Sequence, residues 1–236
     1  MGTSTARRGP STVAWRLAKR AATRYLAPEG APSVEAREVV RRYVAALQET
    51  TAAQGQDLLA EFRLTRKAAQ SLGEFGDLVA GTGWAAALEA WGRQNLAVLP
   101  PEEAILGLTS VWVEGHGSLE AAVARTALAT CLGEVLASGN SGASIRVDGF
   151  FLVRAYLSTA FCRRLVLDLG ESLEAAAAGW PYYQKGLARL QEELMVAATE
   201  IPADPPATGH WQGLAGWVFV TEVLEKILQR FQDNSL

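Results

Sequence analysis

Apolar residues recur along most of this chain at steps of three and four, the signature of helices with one buried face. The alternation that marks a half-buried strand is missing beyond a short stretch at Ile145 and Val147. Ser11 can cap a first helix that reaches about Leu26, where Pro28 and Gly30 stop it. Leu17, Ala21 and Tyr25 lie on this helix beside Arg16, Arg20 and Arg24, whose four-residue spacing makes a single basic stripe. Pro32-Ser33 opens a second helix through about Gln48, with Val39, Val40, Tyr43, Val44 and Leu47 as its apolar face. A third runs from Gln56 to about Val79 on Leu58, Leu59, Phe62, Ala69, Leu72 and Phe75. Gly73 and Gly76 weaken its end, and Gly81-Thr82-Gly83 closes it. Trp84, Leu88 and Trp91 then share one face of the next helix.

The second half continues the pattern. Pro100-Pro101-Glu102-Glu103 is a helix start, with acids placed where the positive end of the helix dipole favours them. That helix reaches Trp112 and stops at Gly115-His116-Gly117. Ser118 opens an alanine-rich helix to about Ala137, with Val123, Ala127, Cys131 and Val135 in register. Ser138-Gly139-Asn140-Ser141-Gly142-Ala143-Ser144 is the clearest linker in the chain. From about Asp148 to Ala178 a long helix aligns Leu157, Phe161, Leu165 and Leu169, and Phe151, Leu152 and Val166 widen its apolar surface nearly all round. Asp168, set among leucines, needs a partner if buried, and Arg164 one turn earlier is the local candidate. Tyr182, Leu187, Leu190 and Leu194 mark a further helix, and a proline-rich loop at 201–206 precedes the last, on Leu214, Trp217, Val218, Leu224, Ile227, Leu228 and Phe231. The expected fold is all-α, an irregular bundle of about eight to nine helices behind a flexible N-terminal tail. The expected organisation is a tail at 1–10, a helical part at 11–138 and a second at 145–236, the two helical parts being separate or one continuous domain.

Composition changes this picture little. In 236 residues, 49% hydrophobic and 20% charged, a sizeable core can form without staples. The formal charge of −3 argues against a nucleic-acid binder as a whole. Cys131 and Cys162, the two cysteines, sit in apolar helical patterns and read as buried reduced thiols, which places the chain in the cytoplasm. No stretch has the length and lack of charge of a membrane span, and Arg16, Lys19 and Arg20 interrupt any secretory core.

No constellation of catalytic residues emerges. Glu102 and Glu103 are a helix cap rather than a working carboxylate pair. Glu114-x-His116 lacks the third and fourth ligands of a zinc site, so no metal is expected. The Gly/Ser linker at 138–144 has no Gly-x-x-x-x-Gly-Lys pattern, and the Trp84-Leu88-Trp91 stripe has no basic residues between its rings, so it reads as core rather than a base-stacking platform. The chain is therefore expected not to be an enzyme and to hold no cofactor of its own.

The start of the chain is where chemistry enters. Met1-Gly2 is the kind of opening from which the initiator is trimmed, exposing the α-amine of Gly2. A free α-amine titrates near pH 8, far below the roughly 10.4 of a lysine, so an appreciable part is nucleophilic at neutral pH, and Arg7 and Arg8 favour the neutral form further. Thr3, Ser4 and Thr5, followed by Gly9-Pro10, cannot bury enough apolar surface to fold and are expected to form a thread that enters a partner's active site. Arg7, Arg8, Arg16, Lys19, Arg20 and Arg24 make the stretch to Leu26 basic, with no acid in it. The Arg16-Arg20-Arg24 stripe is either a solvated face or a rail for an acidic partner or a nucleotide phosphate. The same stretch also fits a mitochondrial transit peptide, while Ala6, where a myristoylation signal wants Ser or Thr, disfavours a lipid on Gly2.

Met1-Gly2-Thr3-Ser4, then Gly9-Pro10 and Trp15, resembles the opening of the QatB family of the bacterial Qat antiphage defence system. Gly149-Phe150-Phe151-Leu152 with the run from Ala160 to Glu174, centred on Leu167-Asp168-Leu169-Gly170, is similar to that family's hydrophobic second-half helix, and Glu61 to Ala69 to its basic, Thr-Arg-containing helix. The resemblance implies a QueC-like (QatC-like) ATP-dependent partner enzyme, with a Qat ATPase and a TatD-like nuclease as further partners. It implies that ATP, used by the partner, activates a 7-carboxy-7-deazaguanine, and that Gly2 accepts it as a covalent deazapurine amide. Thr3 and Ser4 are then read by the enzyme, with Arg7, Arg8, Arg16 and Arg20 as partner-binding residues. Two other expectations remain open: an unmodified helical scaffold in the defence complex, and a regulator that binds nucleic acid through the basic helix.

Overall fold

The computed structural model describes residues 12–27, 34–114, 117–140, 148–202, 204–206 and 209–232. The chain is all-α, with no strand among the described residues. Its elements are α1 (Val13–Tyr25), α2 (Ala36–Ala53), a 3₁₀ turn (Leu58–Phe62), α3 (Arg63–Thr82), α4 (Trp84–Ala90), α5 (Gln94–Ala97), α6 (Pro101–Trp112), α7 (Leu119–Asn140), α8 (Gly149–Ala176), α9 (Trp180–Thr199) and α10 (Leu214–Arg230). They fall into two compact units. One comprises residues up to 58 with 164–193 and 228–236, the other 59–163 with 194–227. The start of the anticipated linker, Ser138 to Asn140, continues α7, and 141–144 lie outside the described residues.

In the first unit, α1 packs along α2. Val39, Val40, Tyr43, Val44 and Leu47 of α2 are buried as their spacing predicts, as are Leu165, Leu169 and Leu173 of α8. Asp168 is 14% exposed and accepts from Arg164 Nε at 2.9 Å, the local pair anticipated from spacing. It also accepts from the Tyr43 hydroxyl of α2 at 2.6 Å, a partner 125 residues away that no local pattern announces. A carboxylate among leucines is tolerable because two donors meet it, one of them a cation. The apolar surface of α8 is narrower than the sequence implies: Phe151 is 39% and Leu167 58% exposed.

In the second unit, α3 meets α4, α6 and α7. Gly73 and Gly76, which weaken a helix in isolation, are here points of close approach. A Cβ on Gly73 would collide with the indole of Trp211, and one on Gly76 would lie 2.9 Å from Gly149 Cα. The helix runs on to Thr82. Asp77 joins the same knot, accepting from the Gly149 amide at 2.9 Å with one oxygen and from Trp211 Nε1 at 2.7 Å with the other. Gln70 Nε2 donates to the Trp211 carbonyl at 2.6 Å, and Trp211 is fully buried. At the start of α3, Phe62 offers no side-chain cap, and Glu120 of α7 accepts from the Leu64 and Thr65 amides at 2.5 and 3.1 Å.

Both cysteines are free and buried. Burial pushes the Cys131 thiol up to about 12 and the Cys162 thiol up to about 11, so both are protonated at pH 8. We expect neither to react with a thiol reagent at pH 8 in the native protein and both to react once it is denatured; native labelling within minutes would contradict this burial. Tyr43→Phe removes one donor from Asp168 and is expected to destabilise by about 1.5–3 kcal/mol in urea denaturation, the usual range for a hydrogen bond to a charged group.

Candidate functional site

Gly2, Thr3, Ser4, Arg7 and Arg8 lie outside the described residues, as do Ser11 and His116. The described part of the candidate region begins at Thr12 and is built on α1. Thr12, rather than Ser11, is the N-cap. Its backbone is extended at φ −70° and ψ 168°, and its hydroxyl oxygen accepts from the Trp15 amide at 3.4 Å. The first turn of α1 contains no acid of its own. Glu49 of α2 supplies the missing negative charge: its Oε2 accepts from the Thr12 hydroxyl at 3.1 Å and the Ala14 amide at 3.2 Å.

Trp15 is the anchor of this helix. It is 4% exposed, its indole N–H donates to Thr50 Oγ1 at 2.8 Å, and its ring stands edge-on to Tyr43 with centroids 5.9 Å apart. Ala18 and Ala22, fully buried, allow α1 to lie close on α2. At the far end, the Tyr25 hydroxyl donates to the Gly186 carbonyl at 2.8 Å, and Leu26 packs where Gly186 has no side chain. The helix is thus held at its start, middle and end within the first unit.

Its outer face carries the basic stripe. Arg16, Arg20 and Arg24 are all exposed, and none of their guanidinium groups has a hydrogen bond or ion pair among the described residues. The periodicity therefore places them together as expected: three cations on one solvent-facing side of a helix whose other side is buried. Chemically, this arrangement can attract an anion or an acidic surface. It offers no nucleophile, acid or base of its own.

Glu102 and Glu103 stand in the first turn of α6 behind Pro101, where the helix dipole favours them, but no side chain makes a capping hydrogen bond at that start. Glu114 pairs with Lys67 Nζ at 3.3 Å. No group of three or more His, Cys, Asp or Glu residues that could hold a metal occurs among the described residues. No helix among them is long and apolar enough to cross a membrane. Sequence reasoning missed Glu49. The available signal was indirect: a helix start with no acid in its first turn, whose cap must then come from elsewhere.

The profile of a family described as "Qat anti-phage system associated protein QatB" matches residues 52–192. The matched range takes in the quoted segments 61–69 and 149–174 and ends before α10; α1 precedes it. No curated protein and no solved structure matches the chain.

The geometry separates anchoring from display. Trp15→Ala is expected to cost about 3–5 kcal/mol in urea denaturation, as for other buried large aromatics, whereas Arg16→Glu and Arg20→Glu each shift stability by no more than about 0.5 kcal/mol. Comparable losses from both kinds of substitution would show that the arginines are structural.

Proposed function

The chain belongs to the QatB family of Qat anti-phage system associated proteins, and on that premise we propose that it is a non-catalytic, cytoplasmic component of that defence system, the protein substrate of a QueC-like (QatC-like) enzyme. The partner joins the carboxylate of a 7-carboxy-7-deazaguanine to AMP at the expense of ATP, releasing pyrophosphate. The Gly2 amine, freed by loss of Met1, attacks the carboxyl carbon. A C–N bond forms, the bond to the AMP oxygen breaks, AMP leaves, and the proton lost from nitrogen passes to solvent. The product is an amide-linked deazapurine on this chain, which then acts with the Qat ATPase and the TatD-like nuclease.

The observation that carries this reading is the construction of α1. Trp15 and Glu49 fix the helix at the point where the N-terminal residues depart, and Arg16, Arg20 and Arg24 stand exposed immediately behind it. A cationic helix face beside the departing residues favours the encounter with a partner whose entrance carries an acidic surface. In this arrangement Thr3 and Ser4 enter the enzyme with Gly2, and Arg7 and Arg8 follow at its entrance.

Reconstitution tests the reading. The QueC-like enzyme, ATP and 7-carboxy-7-deazaguanine are mixed with this chain, and AMP release is followed in the absence of ammonia. Release stoichiometric with the chain is expected, lost when the N-terminus is acetylated or tagged, and slowed by Arg16→Glu with Arg20→Glu in a salt-sensitive manner. Equal AMP release from a chain with a blocked N-terminus would overturn the proposal.

A further inference from the structure

A second exposed surface lies in the first unit, where α1 meets α9. At this meeting point the Tyr25 hydroxyl donates to the Gly186 carbonyl at 2.8 Å, and Leu26 packs on the space left by the missing side chain of Gly186. At the α-helical rotation per residue, Tyr182, Lys185 and Arg189 fall within an arc of about 60° on α9, beside Gly186. All three are exposed, Tyr182 by 61%. Arg24 is exposed next to Tyr25, on the α1 side of the same contact. Trp180 and Tyr183 stack on each other on the other side of Gly186, where the Tyr183 hydroxyl approaches Gly170 of α8, and are no part of this face.

The charges on this face are not balanced locally. Lys185 and Arg189 stand one turn apart, as Arg20 and Arg24 do on α1, and like charges at that spacing repel. None of these four charged groups has a hydrogen bond or ion pair among the described residues. Glu193, close by in sequence, is taken up by Arg37 of α2 at 3.7 Å. Glu192, exposed one turn beyond Arg189, offsets one cation of the four. The formal charge of −3 is a sum over the whole chain and does not describe this surface.

Two properties have to be matched by whatever covers it. Positive charge spread over two helices suits a chain of anions better than a single one, and the open ring of Tyr182 suits a flat partner. An acidic protein surface matches the charge and leaves the ring without a stacking partner. A duplex does the same, because its bases are stacked on one another inside. A single strand matches both, with phosphates along its backbone and base faces free to stack.

We propose that the adjoining faces of α1 and α9 bind single-stranded nucleic acid. Its phosphates pass Arg20, Arg24, Lys185 and Arg189, and a base stacks on Tyr182. The proposal does not rest on the acceptor role assigned to Gly2, and either can fail without the other.

Fluorescence anisotropy of a labelled oligothymidylate of about twelve nucleotides, titrated with the full chain at rising salt, tests it. Saturable binding that weakens with salt is expected. Lys185→Glu combined with Arg189→Glu is expected to weaken it by about tenfold or more and to flatten its salt dependence. Tyr182→Ala is expected to weaken it by about fivefold or more, while Tyr182→Phe, which keeps the ring, binds as the parent does. Lys67→Glu, at an exposed lysine of the second unit, leaves the affinity unchanged. Absence of saturable binding at low salt overturns the proposal. So does parental affinity in the Lys185 and Arg189 double variant, or in Tyr182→Ala, with native circular dichroism. Polyglutamate displacing the strand as effectively, charge for charge, as unlabelled oligothymidylate would mark the surface as one for an acidic protein and overturns it as well.

Discussion

One buried carboxylate sets the geometry of the unit that carries the candidate site. Asp168, among the leucines of α8, is stable there only because Arg164 and Tyr43 both donate to it. Tyr43 thereby has its hydroxyl fixed, and its ring is the surface against which Trp15 stands edge-on. Trp15 in turn places α1, with Thr50 taking the indole N–H. The exposure of Arg16 and Arg20 is therefore the far end of a chain of contacts that starts at a carboxylate inside the helix used to recognise the family. Disturbing Tyr43 disturbs the display of the arginines without touching them.

The second unit is organised by a comparable device. Asp77 receives the Gly149 amide and the Trp211 indole, and the absence of side chains at Gly73 and Gly149 lets Trp211 and the start of α8 approach α3. Here polar pairing and close backbone approach act together, which explains glycines in the middle of a helix where propensity alone disfavours them. The aromatic cluster around Phe75 lies in the same unit and takes in Trp84, Trp91 and Trp112.

The longer helices were legible because their apolar residues recur at helical spacing, and α6 opens where Pro101, Glu102 and Glu103 announce it. The Arg164–Asp168 pair was legible because it is local. Contacts made between distant residues were not: Glu49 capping α1, Glu120 capping α3, Tyr43 reaching Asp168 and Trp211 reaching Asp77 join residues between 35 and 134 positions apart. Gly73 and Gly76 read as weak points because a sequence displays the cost of a glycine but not the ring or backbone that needs the space. The four-residue helix α5 has no stripe long enough to detect. Thr12 displaced Ser11 as the cap because only tertiary contact with Glu49 distinguishes two adjacent hydroxyl residues.

We assign the helices to holding and presenting, and the reaction to an amine ahead of them. Co-expression with the QueC-like enzyme followed by intact-mass measurement, with tandem spectra of the N-terminal peptide, tests that assignment most directly. The expected result is a gain equal to 7-carboxy-7-deazaguanine less one water, carried on a peptide that begins at Gly2. A peptide with an unmodified Gly2, isolated from cells in which the partner enzyme is active, would contradict it.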